Sequence, residues 1–191
     1  MLTTLDRIAD DTAYDVVVLG AGAAGLAAAL FAAVEGGKVL LVERTEYLGG
    51  TTAFSAGTTW VPNTRHASAN GGVDSVEQAA RYLDEIVGNR APAAMRTAFL
   101  ESGPQAIETL EADTEVKFRP YPMHPDYEQQ AAGAVVRGRA LEPLPLDGRA
   151  LGGNLALIRP PIPEFTILGG MMVDRTDINH LLNMTRSGKS A

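Results

Sequence analysis

Gly20, Gly22 and Gly25, followed 18 residues later by the carboxylate of Glu43, have the types and spacing to grip a dinucleotide. Gly20 allows a tight turn where a Cβ would clash. Gly22 lets the backbone approach a pyrophosphate, and Gly25 lets a helix pack on the strand before it. The backbone N–H groups opening that helix would receive the phosphate charge. Glu43 would accept both hydroxyls of an adenosine ribose and repel a 2′-phosphate, which favours FAD or NAD over NADP. The competing reading is a glycine-rich turn that holds nothing. Strand before, helix after and acid beyond are the context that a bare G-x-G-x-x-G lacks.

The elements that must position these residues are equally legible. Tyr14-Asp15-Val16-Val17-Val18-Leu19 reads as a buried strand. A helix rich in small and apolar residues runs on to Val34, and Gly36-Gly37 ends it where a left-handed cap is usual. Lys38-Val39-Leu40-Leu41-Val42 is a second parallel strand with Glu43 at its C-terminal end. Residues 16–34 form 19 consecutive apolar or glycine positions, but the spaced glycines divide them into strand and helix, so no membrane span is expected.

A second chemical segment follows in Gly49-Gly50-Thr51-Thr52-Ala53-Phe54-Ser55-Ala56-Gly57. Its glycines and hydroxyls can bring backbone N–H groups against phosphate oxygens and a flat ring, whereas an NAD domain needs no such second loop. Thr58 to Asn63 reads as a strand or turn holding Trp60 as a packing residue, and residues 64–73 as a mobile polar loop. Asp74 or Ser75 caps a helix that stops at Gly88. Pro92 opens a helix over 93–102 and Pro104 another to about residue 112. Residues 115–119 alternate as a half-exposed strand, residues 120–163 carry no sustained helix period, and Asp174 or Thr176 caps a last helix through Leu182.

Composition narrows the function classes. The chain has 191 residues, 46% of them hydrophobic, with 23 acidic against 16 basic residues and a net charge of −7. No basic cluster suggests nucleic acid. The absence of cysteine removes disulfides, thiolate ligands and cysteine nucleophiles, and fits a cytoplasmic protein. His66, His124 and His180 lack metal-ligand spacing and read as structural or surface residues, so no metal is expected. The N-terminus lacks the charge order of a signal peptide.

The glycine fingerprint, Glu43-Arg44, residues 49–57 and the following Thr58-Thr59-Trp60-Val61-Pro62-Asn63 resemble the fumarate reductase/succinate dehydrogenase flavoprotein superfamily. Trp60 to Asn63, Asp126-Tyr127, residues 138–149 and Gly169-Gly170-Met171-Met172-Val173 are similar to its 3-ketosteroid Δ1-dehydrogenase branch. The resemblance implies an α/β fold: the N-terminal portion of a Rossmann-like FAD-binding domain with a helical insertion (1–114), then the beginning of an α+β substrate or cap domain (115–191). It implies FAD held by Gly20, Gly22, Ala23, Ala24, Gly25, Glu43 and Arg44, with Gly50, Thr51, Thr52, Ser55, Ala56 and Gly57 along the pyrophosphate and isoalloxazine. Gly and Thr stand where covalent-flavin members carry a histidine, so the flavin would be noncovalent.

In that branch a base removes one proton from a ring carbon while a hydride leaves its neighbour for flavin N5. Tyr127 is the tyrosine that the resemblance assigns to this work, with Tyr121 second and a structural role for Tyr127 as the alternative. A tyrosine with a pKa near ~10 needs a positive or oxyanion partner to act as a base, and the sequence names none. The implied substrate is small and hydrophobic, a steroid in that branch. Nothing after Val173 resembles the family's closing segment, so the expectation is an FAD-dependent oxidoreductase fragment. Its rival is a non-catalytic dinucleotide-binding module that works only with a complementary C-terminal chain.

Overall fold

The computed structural model describes residues 3–69, 71–167, 169–170, 172–173 and 175–184. In chain order the elements are β1 (Val16–Leu19), α1 (Ala23–Val34), β2 (Val39–Val42), β3 (Thr59–Trp60), α2 (Arg65–Ala69), α3 (Val76–Val87), α4 (Ala93–Asp113), β4 (Phe118–Pro120), β5 (Ala140–Pro143) and α5 (Arg175–Leu182). Contacts divide the chain into two compact units. Residues 1–55 and 148–191 form the first, and residues 56–147 are inserted between them as the second. The expected division at 114/115 falls inside the second unit, between α4 and β4.

In the first unit β1 and β2 pair in parallel, with Val16 opposite Val39 and Leu19 opposite Val42. The Asp15 carboxylate accepts the Lys38 N–H at 2.8 Å and pins the start of the pair. α1 crosses between the two strands, the right arrangement for a βαβ unit. It ends as expected: Gly36 has φ +87°, and the N–H groups of Gly36 and Gly37 return to Ala33 and Ala32 carbonyls. The burial expected of this first strand is not found: Leu19 is 80% exposed and Val17 55%, with β2 and α1 the elements that pack on it. No residue of α1 is buried. A short 3-10 helix (Gly50–Phe54) follows β2, and Gly148–Leu157 is a second 3-10 stretch broken at Gly152.

In the second unit β5 lies between β3 and β4, antiparallel to both. Val61, Ile107 and Leu141 form the core of this unit, with Phe118 packed against them. Ser75, not Asp74, caps α3: its hydroxyl accepts the Gln78 N–H at 3.1 Å. Asp74 is spent on the Asn63 N–H and on Arg139.

Three further expectations need correction here. The segment 64–73 is not a featureless loop, because α2 forms within it. Ala67 is buried, and Arg65 and His66 both bond to the Glu111 carboxylate of α4. The two helices expected on either side of Pro104 are one continuous α4 of 21 residues. Leu100 and Ile107, on both sides of the proline, are buried, so packing carries the helix through one missing hydrogen bond. The strand expected at 115–119 starts at Phe118 and ends at Pro120, since Thr114 to Lys117 serve to close α4: Thr114 Oγ1 bonds to the Leu110 carbonyl, and Lys117 Nζ to the Glu111 carbonyl. The last helix spans Arg175–Leu182 and ends where expected; of its two expected caps, Asp174 lies outside the described residues and Thr176 stands within the helix.

Candidate functional site

The turn from β1 into α1 has the geometry that its glycines imply. Gly20 has φ +99°, a conformation L side chains rarely adopt, and its N–H bonds to the Val42 carbonyl at 2.7 Å. A Cβ on Gly25 would lie 1.8 Å from the Gly20 carbonyl oxygen, so helix and turn can approach this closely only without a side chain. A Cβ on Gly22 would meet nothing within 4 Å. Gly22 therefore faces space that a ligand can fill, and as the N-cap of α1 it offers no side chain to cover the first turn. This is the cradle that a pyrophosphate requires.

The second glycine loop docks on the first. Gly49 donates its N–H to the Ala21 carbonyl at 2.8 Å, and Thr52 Oγ1 accepts the Ala23 N–H at 3.3 Å. Gly50, at φ +54°, sits so close that a Cβ on it would stand 3.1 Å from Gly22 Cα. Ser55 Oγ donates to the Thr52 carbonyl at 2.8 Å and closes the 3-10 turn. Thr51 and Thr52 are exposed at its surface. Gly20, Gly22, Ala23, Gly50 and Thr52, read as one site from two separate motifs, are thus brought together. Ala24 and Gly25 continue into the first turn of α1. Ala56 and Gly57 open the second unit, where Gly57 turns at φ +69° against Pro143.

Glu43 stands at the end of β2 with its carboxylate drawn into the same turn. Oε2 accepts the Ala21 N–H at 2.8 Å, and Oε1 accepts the N–H and the hydroxyl of Thr45 at 2.9 and 3.0 Å. These donors, the Ala21 N–H first, then Thr45 and the Arg44 N–H, lower its pKa from 4.5 to about 2 against a small opposing effect of desolvation. Glu43 is therefore an anion at any physiological pH, an acceptor for hydroxyls and a repellent for phosphate. Arg44 contributes its backbone N–H to this carboxylate. Thr45 was not among the residues expected in the site, nor was Arg159, whose Nη2 donates to Thr45 Oγ1 at 2.9 Å. Among the described residues, the buried Nε of Arg159 has no hydrogen-bond partner.

Tyr127 belongs to the second unit, 91% exposed, beside a cavity of about 350 Å³ lined by Trp60, Tyr82, Leu83, Ile86 and His124. The His124 ring lies 6.2 Å from that of Tyr127 and 5.1 Å from that of Tyr121. The Tyr127 segment hangs from its buried neighbour Asp126. Asp126 Oδ1 accepts the Trp60 indole N–H at 2.7 Å, and Oδ2 accepts Arg139 Nη1 at 2.7 Å and the Val135 N–H at 3.1 Å. Arg139, 0% exposed, also reaches Asp74 at 2.7 Å and lies over the Trp60 and Tyr82 rings. This cation is committed to two carboxylates, so it is not the partner that a tyrosine base needs. Trp60 packs as expected, stacked on Phe99 at 6.1 Å. His66 is structural, paired with Glu111 at 2.9 Å. Among the described residues no group of three or more His, Cys, Asp or Glu could hold a metal ion, and no helix is long and apolar enough to cross a membrane.

Comparison with known proteins agrees with this geometry. The family model of the FAD binding domain matches residues 15–182. The chain is 39% identical over 178 residues to the 4-oxocyclohex-2-ene-1-carboxylate 5-dehydrogenase of Sinomonas cyclohexanicum, covering 93% of this chain and 30% of that protein. It is 37% identical over 173 residues to the 3-oxosteroid 1-dehydrogenase of Mycolicibacterium smegmatis, covering 91% of this chain and 30% of the relative. Among solved structures, 3-ketosteroid delta1-dehydrogenase from Sterolibacterium denitrificans, in complex with 1,4-androstadiene-3,17-dione, superposes with a TM-score of 0.80 at 32% identity. That match covers 92% of this chain and 31% of the other. The chain spans about a third of the length of these relatives.

Proposed function

Since the chain belongs to the FAD binding domain family of flavin-dependent oxidoreductases, we propose that it forms the nucleotide-holding part of a dehydrogenase acting on a hydrophobic cyclic ketone. The relatives named above act on ketones of six-membered rings, steroids among them. The observation that carries the reading is the docking of the 49–52 loop on the Gly20–Gly25 turn beside an ionised Glu43. An NAD domain has no need of that loop. Bound FAD would supply the hydride acceptor of such a reaction.

The chain's own residues have separate tasks in this proposal. Gly22, Ala23, Ala24 and Gly25 receive the pyrophosphate, and Glu43 holds the ribose of the adenosine. Gly50, Thr51, Thr52, Ser55, Ala56 and Gly57 border the pyrophosphate and the isoalloxazine. Gly49 to Thr52 offer no histidine for a covalent link, so the flavin is held noncovalently. The Tyr127 hydroxyl handles the substrate proton, and Arg139 anchors the neighbouring Asp126. A cytoplasmic location accords with the absence of cysteine.

A second reading concerns partners. The exposure of Val17 and Leu19 on β1, and of Leu26 and Val34 on α1, supports further polypeptide lying over this face in the working enzyme, as a complement to this chain. FAD titrated into the purified chain tests the first reading. The expected result is an absorbance band near about 450 nm that survives desalting and is released on denaturation. A folded chain that retains no flavin overturns the proposal, and flavin that stays attached after denaturation overturns the noncovalent assignment. Dye reduction with a 3-ketosteroid is expected to be absent for this chain alone and to appear with its complement.

A further inference from the structure

We infer that Arg159 is a positioning residue for the adenosine end of the site, acting on Glu43 through the hydroxyl of Thr45. This rests on the FAD reading above. The backbone first brings Arg159 to the place. Leu48 donates its N–H to the Leu157 carbonyl at 2.7 Å, Arg159 donates its own to the Leu48 carbonyl at 2.9 Å, and Leu48 and Ile158 form a parallel bridge. The returning strand of chain is thereby zipped to the loop that follows Glu43. The guanidinium lies over the Tyr47 ring, 5.9 Å from its centre, and Nη2 reaches Thr45 Oγ1 at 2.9 Å.

The consequence follows from counting lone pairs and protons. A hydroxyl has one proton to give and two lone pairs to receive with. Thr45 Oγ1 receives from Arg159 Nη2 and from the Tyr47 N–H, the latter at 3.3 Å, and both lone pairs are then used. Its single proton is left to two acceptors, Glu43 Oε1 at 3.0 Å and the Tyr47 carbonyl at 2.9 Å. A carboxylate has roughly four acceptor positions. Without ligand, four donors reach it: the N–H groups of Ala21, Arg44 and Thr45, and the Thr45 hydroxyl. A ribose hydroxyl needs one position. Arg159 holds the Thr45 oxygen in place while its proton turns to the Tyr47 carbonyl, and one position on Glu43 opens without moving a heavy atom.

Displacement of FAD from the full chain by ADP and by 2′-deoxy-ADP tests the assignment, because the ratio of the two isolates recognition of the diol. Wild type is expected to prefer ADP by about tenfold, the value of one hydrogen bond to a charged group. Arg159→Met should bring the preference below about threefold with an unchanged melting temperature for the ligand-free chain. Arg159→Lys, which still offers a donor to Thr45 Oγ1, should restore most of it. Thr45→Val, which removes the competing hydroxyl from Glu43 outright, should keep the ADP preference, and the double variant should keep it too, since Arg159 acts only through that hydroxyl. If Arg159→Met does not fold, Arg159→Ala takes its place. An Arg159→Met chain that keeps the ADP preference, or a double variant that still lacks it, overturns the inference and leaves FAD binding standing. A wild-type chain that takes up no FAD overturns both.

Discussion

Glu43 has its carboxylate oxygens in contact with backbone and side-chain donors of two different loops, so its charge is coupled to folding as well as to the ligand. Its pKa in the fold, about 2, lies below the ordinary 4.5. On acidification the unfolded chain therefore takes up this proton first. The stabilisation by Glu43 is complete above pH 4.5 and is lost as pH falls toward 2. Melting temperatures of wild type and Glu43→Gln should differ by a constant amount above that window and converge within it. A gap that stays flat from pH 4.5 to 2 would show that the carboxylate is not anchored as described. The glycines and Glu43 were legible in sequence because each owes its role to a neighbour close along the chain or to a fixed spacing. Arg159 was not legible: its partner Thr45 is 114 positions away, and nothing in the proline- and glycine-rich stretch around it distinguishes it from a surface arginine.

Among elements, the second unit shows which local rules yield to packing. Ser75, Gly36 and Gly88 act as the caps and stops that their residue types imply, since a cap is a local hydrogen bond or backbone angle. Pro104 misleads because its cost is local while the burial of Leu100 and Ile107 that outweighs it is not. α2 was hidden for the same reason, as its anchor Glu111 lies on another helix. The joint that ties β3, β5 and the Tyr127 segment is Arg139 between Asp74 and Asp126. Arg139→Met should leave two buried carboxylates facing each other and destabilise the fold by about 3–5 kcal/mol. Urea denaturation gives the loss, and emission from Trp60, the only tryptophan, reports whether the joint itself has loosened. A variant as stable as wild type, with unchanged emission, would refute the assignment.

At the scale of the whole molecule, the α/β class and the nucleotide-binding half were legible from the first sixty residues, whereas the insertion of one unit into the other was not. The return of residues 148–191 to the first unit depends on contacts that no local pattern announces. The open face of β1 should make the isolated chain self-associate, and light scattering should fall in a Val17→Thr, Leu19→Lys variant. Wild type that stays monodisperse at high concentration would count against a covered face. The insertion also sets an order in time. A ribosome delivers the glycine turn, Glu43 and Thr45 early, then all of residues 56–147, and only afterwards Arg159. The nascent chain can show a nucleotide its cradle long before the latch behind that cradle exists. Firm capture of cofactor is thus deferred until the inserted unit has emerged and had time to fold.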